Sequence, residues 1–176
     1  MKKSLALAAR LVLVSGLKPG SGTQALRARL RGEESSMPMK KIIGAIVAGF
    51  VLLFAGRYLL HSVFLKSAYM HSSDVWRTPE AMMHRMWAAQ LANLIFAVAA
   101  VLIYVRGIEQ KPWLGQGIRF GILLALATAV PQSLIEYFVY PIHHELALHW
   151  IIGEGGLAVL LGVLIAAICQ PNPAGA

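Results

Sequence analysis

Four long apolar stretches restrict what this sequence can fold into. They run over residues 42–65, 79–105, 118–140 and 148–169. Each is long enough for an α-helix to cross a bilayer, which takes roughly 20 apolar residues. The second stretch is continuously apolar only from Met86, but Thr78 and Pro79 supply the cap and the first residue of an earlier helix start. With only 14% charged residues, the chain is predicted to be all-α, a four-helix antiparallel transmembrane bundle within the lipid bilayer.

The predicted organisation is a basic N-terminal segment, a membrane domain and a short C-terminal tail, at residues 1–38, 39–170 and 171–176. The N-terminal segment is open to three interpretations: sequence upstream of a true start at Met37 or Met39, a basic tail, or a weak signal peptide interrupted by Arg10. It contains seven of the 16 Lys and Arg residues. The net charge of +8 is therefore mostly N-terminal, and no nucleic-acid partner is expected.

The distribution of Lys and Arg predicts the orientation, because these residues favour the cytoplasmic side of short loops. The loops carry three such residues on each side and are indecisive. The adjacent Lys40 and Lys41, just before the first span, place both termini in the cytoplasm. A multi-pass protein of a bacterial inner membrane is expected.

Aromatic residues and glycines at the span ends have structural interpretations. Aromatics at the membrane interfaces are expected to anchor the protein in the bilayer, and the set is Tyr69, Trp76, Trp87, Tyr104, Trp113, Tyr140 and Trp150. Gly117 and Gly121 form a GxxxG pair that favours close helix packing.

Polar residues in the four spans fall at matched depths on the outer side of the midplane. Counting 1.5 Å per residue places a first layer roughly 5 Å from the midplane and a second about 10 Å from it. Together the layers contain Arg57, His61, Gln90, Asn93, Gln132, Glu136 and Glu154, with His149 or Trp150 at the second depth on span four. Each lies on a helical face that also carries small residues, which is typical of buried bundle faces. We expect the four faces to meet around one axis.

Arg57 lies too deep for its guanidinium to reach the interface comfortably. An unpaired charge there costs about 2.5–3.5 kcal/mol or more on insertion scales, so a carboxylate partner is expected. Glu154 at the same depth is the first candidate, and Glu136, one layer farther out, is the second. The layer is predicted either to bind a small polar or anionic group or to fix the packing of the helices.

The histidines suggest an alternative from another class, a membrane redox, haem- or metal-binding subunit. His61 and His149 lie near the outer surface on different helices and are weak candidate ligands. The sequence lacks the spaced histidine and cysteine motifs of established sites, and its single Cys169 forms no internal disulfide. No cofactor is predicted. Catalytic motifs such as GxSxG, a P-loop or a dinucleotide fingerprint are also missing, so an enzyme is not indicated.

Four stretches carry a resemblance to a known group of proteins: HSVFLKSAY, VWRTPEAM, YVRGIEQKPWLGQGIRFGILL and YPIHHELALHWIIGEG. With these stretches the region from Met39 to Gln170 resembles small bacterial four-span membrane proteins that are grouped as domains of unknown function. The resemblance implies fold and location and supplies no catalytic residues.

A third expectation for function is a non-catalytic assembly or stress-response factor. Four spans are few for a transporter, so transport would require a homo-oligomer.

Overall fold

The computed structural model describes residues 37–71, 75–109 and 111–170. Residues 1–36 of the predicted N-terminal segment, to which the three interpretations apply, and the predicted C-terminal tail lie outside these described residues. The described residues form helices joined by short turns, with no strand among them. The predicted all-α four-helix bundle is confirmed.

Seven α-helices follow one another along the described chain: α1 Met39–Tyr58, α2 Lys66–Met70, α3 Pro79–Met83, α4 Met86–Arg106, α5 Trp113–Ala127, α6 Ala129–Val139 and α7 His144–Cys169. A π-helical segment, Leu59–Phe64, extends α1. Four helical stretches are long and apolar enough to cross a membrane, Met39–Phe64, Met86–Arg106, Trp113–Val139 and His144–Cys169. We refer to them as spans one to four.

The second helix does not run back continuously to Thr78, so that prediction is wrong. Thr78 does cap a helix, because its Oγ1 accepts the Ala81 N–H at 3.3 Å, but this is the short α3. The Arg85 N–H donates to the Met82 carbonyl, three residues back, at 2.9 Å. This tighter turn separates α3 from span two, which begins at Met86.

The other three spans begin earlier than their apolar stretches, and span three is interrupted. Span one starts at Met39, span three at Trp113 and span four at His144, because a helix includes polar first turns that an apolar window leaves out. The interruption lies at Thr128, between α5 and α6. Pro131 lacks an N–H, and in an unbroken α-helix its ring would collide with the carbonyl of Ala127, four residues back, which accounts for the interruption.

Span four is the centre of the bundle. Span three packs on it most extensively, span one packs on both span four and span two, and span two touches span four lightly. We call the end with residues 107–112 the inner end and the opposite end the outer end. At the inner end Tyr104 of span two meets Phe120 of span three, with ring centroids 5.2 Å apart. Elsewhere in the described chain spans two and three make no extensive contact, and a cleft separates them.

Candidate functional site: a polar cleft between spans two and three

The cleft has a volume of about 800 Å³ and lies in the outer half of the bundle. Ala92 and Phe96 of span two form one wall, and the outer part of span three, from Ala127 to Tyr140, forms the other. Arg57 of span one and Glu154 of span four stand at the back, and Glu136 lies on the span-three wall. Its polar, ionisable and aromatic lining is Arg57, His61, Tyr69, Trp76, Phe96, Thr128, Gln132, Ser133, Glu136, Tyr140, Trp150 and Glu154.

Arg57 and Glu154 form the ion pair at the back of the cleft. Arg57 Nε donates to both carboxylate oxygens of Glu154, at 3.2 and 3.0 Å, and Nη2 donates to Oε2 at 2.9 Å. Nη1 donates to Oδ1 of Asn93 on span two. The guanidinium therefore joins spans one, two and four, and the structure brings Arg57 and Glu154 together as expected.

Glycines next to Arg57 and Glu154 explain why spans one and four come so close. Gly56 precedes Arg57 and packs directly under the side chain of Leu157, where a Cβ would overlap. Gly153 precedes Glu154 and accommodates Leu60 of span one in the same way. This close approach lets the guanidinium reach the carboxylate directly.

His61 continues the network toward the outer end. Its Nε2 lies 3.0 Å from Glu154 Oε1 and its Nδ1 lies 2.6 Å from the Tyr69 hydroxyl. The Tyr69 oxygen accepts the Trp150 Nε1–H at 2.7 Å, which leaves the hydroxyl hydrogen free to point at His61. Neutral His61 with its proton on Nε2 then satisfies every partner, since Nδ1 accepts and Nε2 donates.

The π-helical segment and the turn after it bring Tyr69 back to His61. The Leu65 N–H reaches five residues back to the Leu60 carbonyl, at 2.9 Å, which is the wider π-type turn. The chain then turns into α2, where Tyr69 packs near the buried Leu65 and Trp150. Burial raises the pKa of the Tyr69 hydroxyl to about 12, and the nearby carboxylates of Glu136 and Glu154 add to this shift.

The remaining predicted residues occupy different positions. Gln132 is exposed in the cleft, and its Nε2 donates to Glu136 Oε1 on the same helix at 2.7 Å. Gln90 lies outside the cleft lining, and its Oε1 accepts from Asn93 Nδ2 at 3.3 Å. Asn93 is buried at the back, beside Arg57. Polar side chains of spans one, three and four thus line one cleft, with Asn93 of span two behind Arg57, but Glu136 pairs with Gln132 rather than with Arg57.

The expectation that the outer aromatics anchor the chain in lipid is wrong for Trp150, which is 5% exposed. Trp150, Tyr69 and Trp76 form a cluster with neighbouring ring centroids 5.3–6.2 Å apart, and the Tyr140 ring lies 5.9 Å from Trp76, tilted by 51°. Sequence reasoning missed this wall of the cleft. The depth of Trp150, one helical turn before Glu154, places His149 or Trp150 in the second layer, but nothing in the sequence marks the turn that returns Tyr69. Trp87 is 68% exposed, as an interfacial residue would be.

His61 and His149 are not brought to one site. Both ring nitrogens of His61 are engaged within the network. His149 is exposed outside the cleft lining, with Nδ1 2.7 Å from the Glu145 carbonyl oxygen of its own helix. Among the described residues no group of three or more His, Cys, Asp or Glu is placed to hold a metal ion.

Comparison with known proteins adds no assignment, since no family model, curated relative or solved structure matches the chain. The fold and the four apolar spans define a multi-pass membrane protein. Its distinguishing feature is an ion pair at the back of a cleft in the outer half of the bundle.

Proposed function

We propose that this membrane protein binds a small polar group, of a solute or of a lipid, in the cleft between spans two and three. The observation that carries the proposal is the position of the Arg57–Glu154 pair. The pair borders a cleft of about 800 Å³, within the size range of ligand sites. Charged side chains in a membrane domain that face a cavity typically mark a functional site.

The geometry favours a polar group, rather than a free anion, as the ligand of the cleft. Glu154 already neutralises Arg57 through three hydrogen-bond contacts, so the guanidinium offers little net positive charge. It keeps one N–H on each of Nη1 and Nη2, because an Arg side chain has five donors in all. Thr128, Gln132 and Ser133 add further polar atoms to the lining.

A second candidate function is to fix the packing of the bundle. Arg57 contacts span two through Asn93 and span four through Glu154, as a residue that sets helix register would. The two candidates differ in one respect. A packing role predicts loss of stability in variants but no response to any ligand.

The test is a thermal unfolding screen of the detergent-solubilised protein with three classes of small solute, namely amines, carboxylates and neutral polyols. A ligand that binds only the folded protein raises its melting temperature. Ala92→Phe fills the cleft from span two, and Ala89→Phe makes the same change on the same helix outside the cleft lining. We expect at least one class to stabilise the native protein and Ala89→Phe but not Ala92→Phe. Equal responses of the two variants, or none in the native protein, would contradict the proposal.

For location we propose a bacterial inner membrane with both termini in the cytoplasm, and membership of the four-span bacterial proteins that the chain resembles. The support is the Lys40–Lys41 pair and the quoted sequence stretches. In a Cys169→Ser background, cysteine at His143 is expected to react with an impermeant reagent added outside intact cells, while cysteine at Gly115 stays unmodified. The reverse pattern would invert the orientation.

A further inference from the structure

We infer that the polar group bound in the cleft is an ammonium group of an organic cation, held between the Glu136 carboxylate and the aromatic wall. This inference rests on the proposed binding function and names its ligand class. It is carried by the charges that line the cleft and by the side chains that surround Glu136.

The charges in the cleft are unbalanced. Arg57 and Glu154 cancel each other in the ion pair. Glu136 has Gln132 as its hydrogen-bond donor, and in the described part of the chain no Lys, Arg or His forms a salt bridge with it. Among the described Arg and Glu side chains that line the cleft, Glu136 is therefore the one left without an opposite charge beside it.

The Glu136 carboxylate faces the cleft with no opposite charge beside it among the described residues. Glu136 lies on span three about one helical turn inside its outer end at Val139, and the side chain faces a cleft that is bordered by apolar helices. A charge in the hydrocarbon region is costly unless a partner or water compensates it. Because the described chain supplies only the neutral amide of Gln132, a cationic ligand is the group that fits.

The aromatic wall favours the same ligand. Tyr69, Trp76, Tyr140 and Trp150 all line the cleft, and Tyr140 follows Glu136 by one helical turn. Aromatic faces attract ammonium groups, and several of them around one cavity with a carboxylate is the usual arrangement for quaternary ammonium recognition.

The experiment measures binding of tetramethylammonium chloride to the detergent-solubilised protein at mildly alkaline pH, by the concentration dependence of the melting temperature. Sodium chloride at equal ionic strength and the neutral isostere tert-butyl alcohol are the solute controls. Glu136→Gln keeps the shape of the side chain and removes the charge. Glu145→Gln makes the same change at an exposed carboxylate on α7, outside the cleft lining.

We expect tetramethylammonium to stabilise the native protein and Glu145→Gln, with binding weakened about tenfold or more in Glu136→Gln, as for loss of one charge-assisted contact. Equal binding to Glu136→Gln, or an equal response to tert-butyl alcohol, would overturn the inference. A cleft-dependent response to carboxylates or polyols without one to tetramethylammonium would also overturn it, yet would leave the proposed binding function standing. No response to any class would reject both.

The source of the ammonium group is decided by competition. Short-chain phosphatidylcholine and phosphatidylglycerol are added, below their micelle concentrations, to protein with tetramethylammonium bound. Displacement by phosphatidylcholine alone supports a lipid headgroup that enters between spans two and three. Displacement by neither, with tetramethylammonium binding intact, supports a free organic cation. Stronger displacement by phosphatidylglycerol would contradict the inference.

Discussion

The ion pair between Arg57 and Glu154 is expected to couple spans one and four energetically. Arg57→Met removes the three contacts to Glu154 and the one to Asn93 and leaves a carboxylate without its counter-charge. Breaking a fully buried pair from one side costs about 3–5 kcal/mol in soluble proteins. Here the side chains are 32% and 18% exposed, so a loss of about 2–4 kcal/mol in the free energy of unfolding is expected.

The double variant separates pairing from other effects. Glu154→Gln alone is expected to cost about 1–3 kcal/mol, since the amide keeps the shape and one acceptor. Combined with Arg57→Met, it should recover about 1–2 kcal/mol relative to the sum of the single changes, near the upper range of polar couplings measured in membranes. The assay is reversible unfolding by SDS in mixed micelles, which reports the free energy of unfolding.

A second cycle provides the control. Glu136→Gln combined with Arg57→Met is expected to be additive within about 0.5 kcal/mol, because Glu136 bonds Gln132 and not Arg57. Additivity in the Arg57–Glu154 cycle would refute the ion pair as an energetic contact. Coupling of Arg57 to Glu136 instead would restore the second pairing that the sequence suggested.

Two further predictions concern packing and titration. Gly162→Ala is expected to cost about 1–3 kcal/mol of unfolding free energy, because its Cβ would lie 2.5–2.8 Å from backbone atoms of span three, whereas Gly156→Ala meets nothing within 4 Å and should be neutral in the same assay. The pKa of the Tyr69 hydroxyl is 10.0 in the unfolded chain and about 12 in the folded protein. Stability that is fully present below pH 10 is therefore lost as the pH rises from about 10 to about 12. Because the ring is only partly buried and solvent screens the shift, this loss is about 1–2 kcal/mol. Tyr69→Phe should not show this alkaline loss of stability. At neutral pH it should cost about 1–3 kcal/mol of unfolding free energy, because the Trp150 Nε1–H loses its acceptor. An unchanged decrease of stability with alkaline pH in Tyr69→Phe would contradict the assignment of this loss to Tyr69.

The spans and the central ion pair could be predicted from the sequence for simple physical reasons. Apolar length alone identifies helices that cross a bilayer. Matched depth and helical phase then paired Arg57 with Glu154, since a charge in that position requires a partner. The Gly117–Gly121 pair likewise predicted close packing, and both glycines are buried where span three meets span four.

The cleft itself was beyond sequence reasoning. Periodicity shows which face of each helix is polar, but not that spans two and three remain apart in their outer halves. The interruption at Thr128 follows from Pro131, yet its effect on the neighbours of Gln132 depends on tertiary packing. The π-helical turn that returns Tyr69 to His61 has no sequence signature of its own. Whether the predicted polar residues bind a ligand stays a prediction.

The central claim is that the cleft is a polar, negatively charged site reachable from water, and thiol reactivity in lipid nanodiscs tests it most directly. Ala92→Cys faces the cleft, and Leu94→Cys on the same span is exposed outside its lining, both in a Cys169→Ser background. Cationic and anionic methanethiosulfonate reagents with the same reactive group are compared. The account predicts that Ala92→Cys reacts faster with the cation than with the anion, and that Leu94→Cys, facing lipid, reacts with neither. Equal reactivity at both positions, or a faster reaction of Ala92→Cys with the anion, would contradict it.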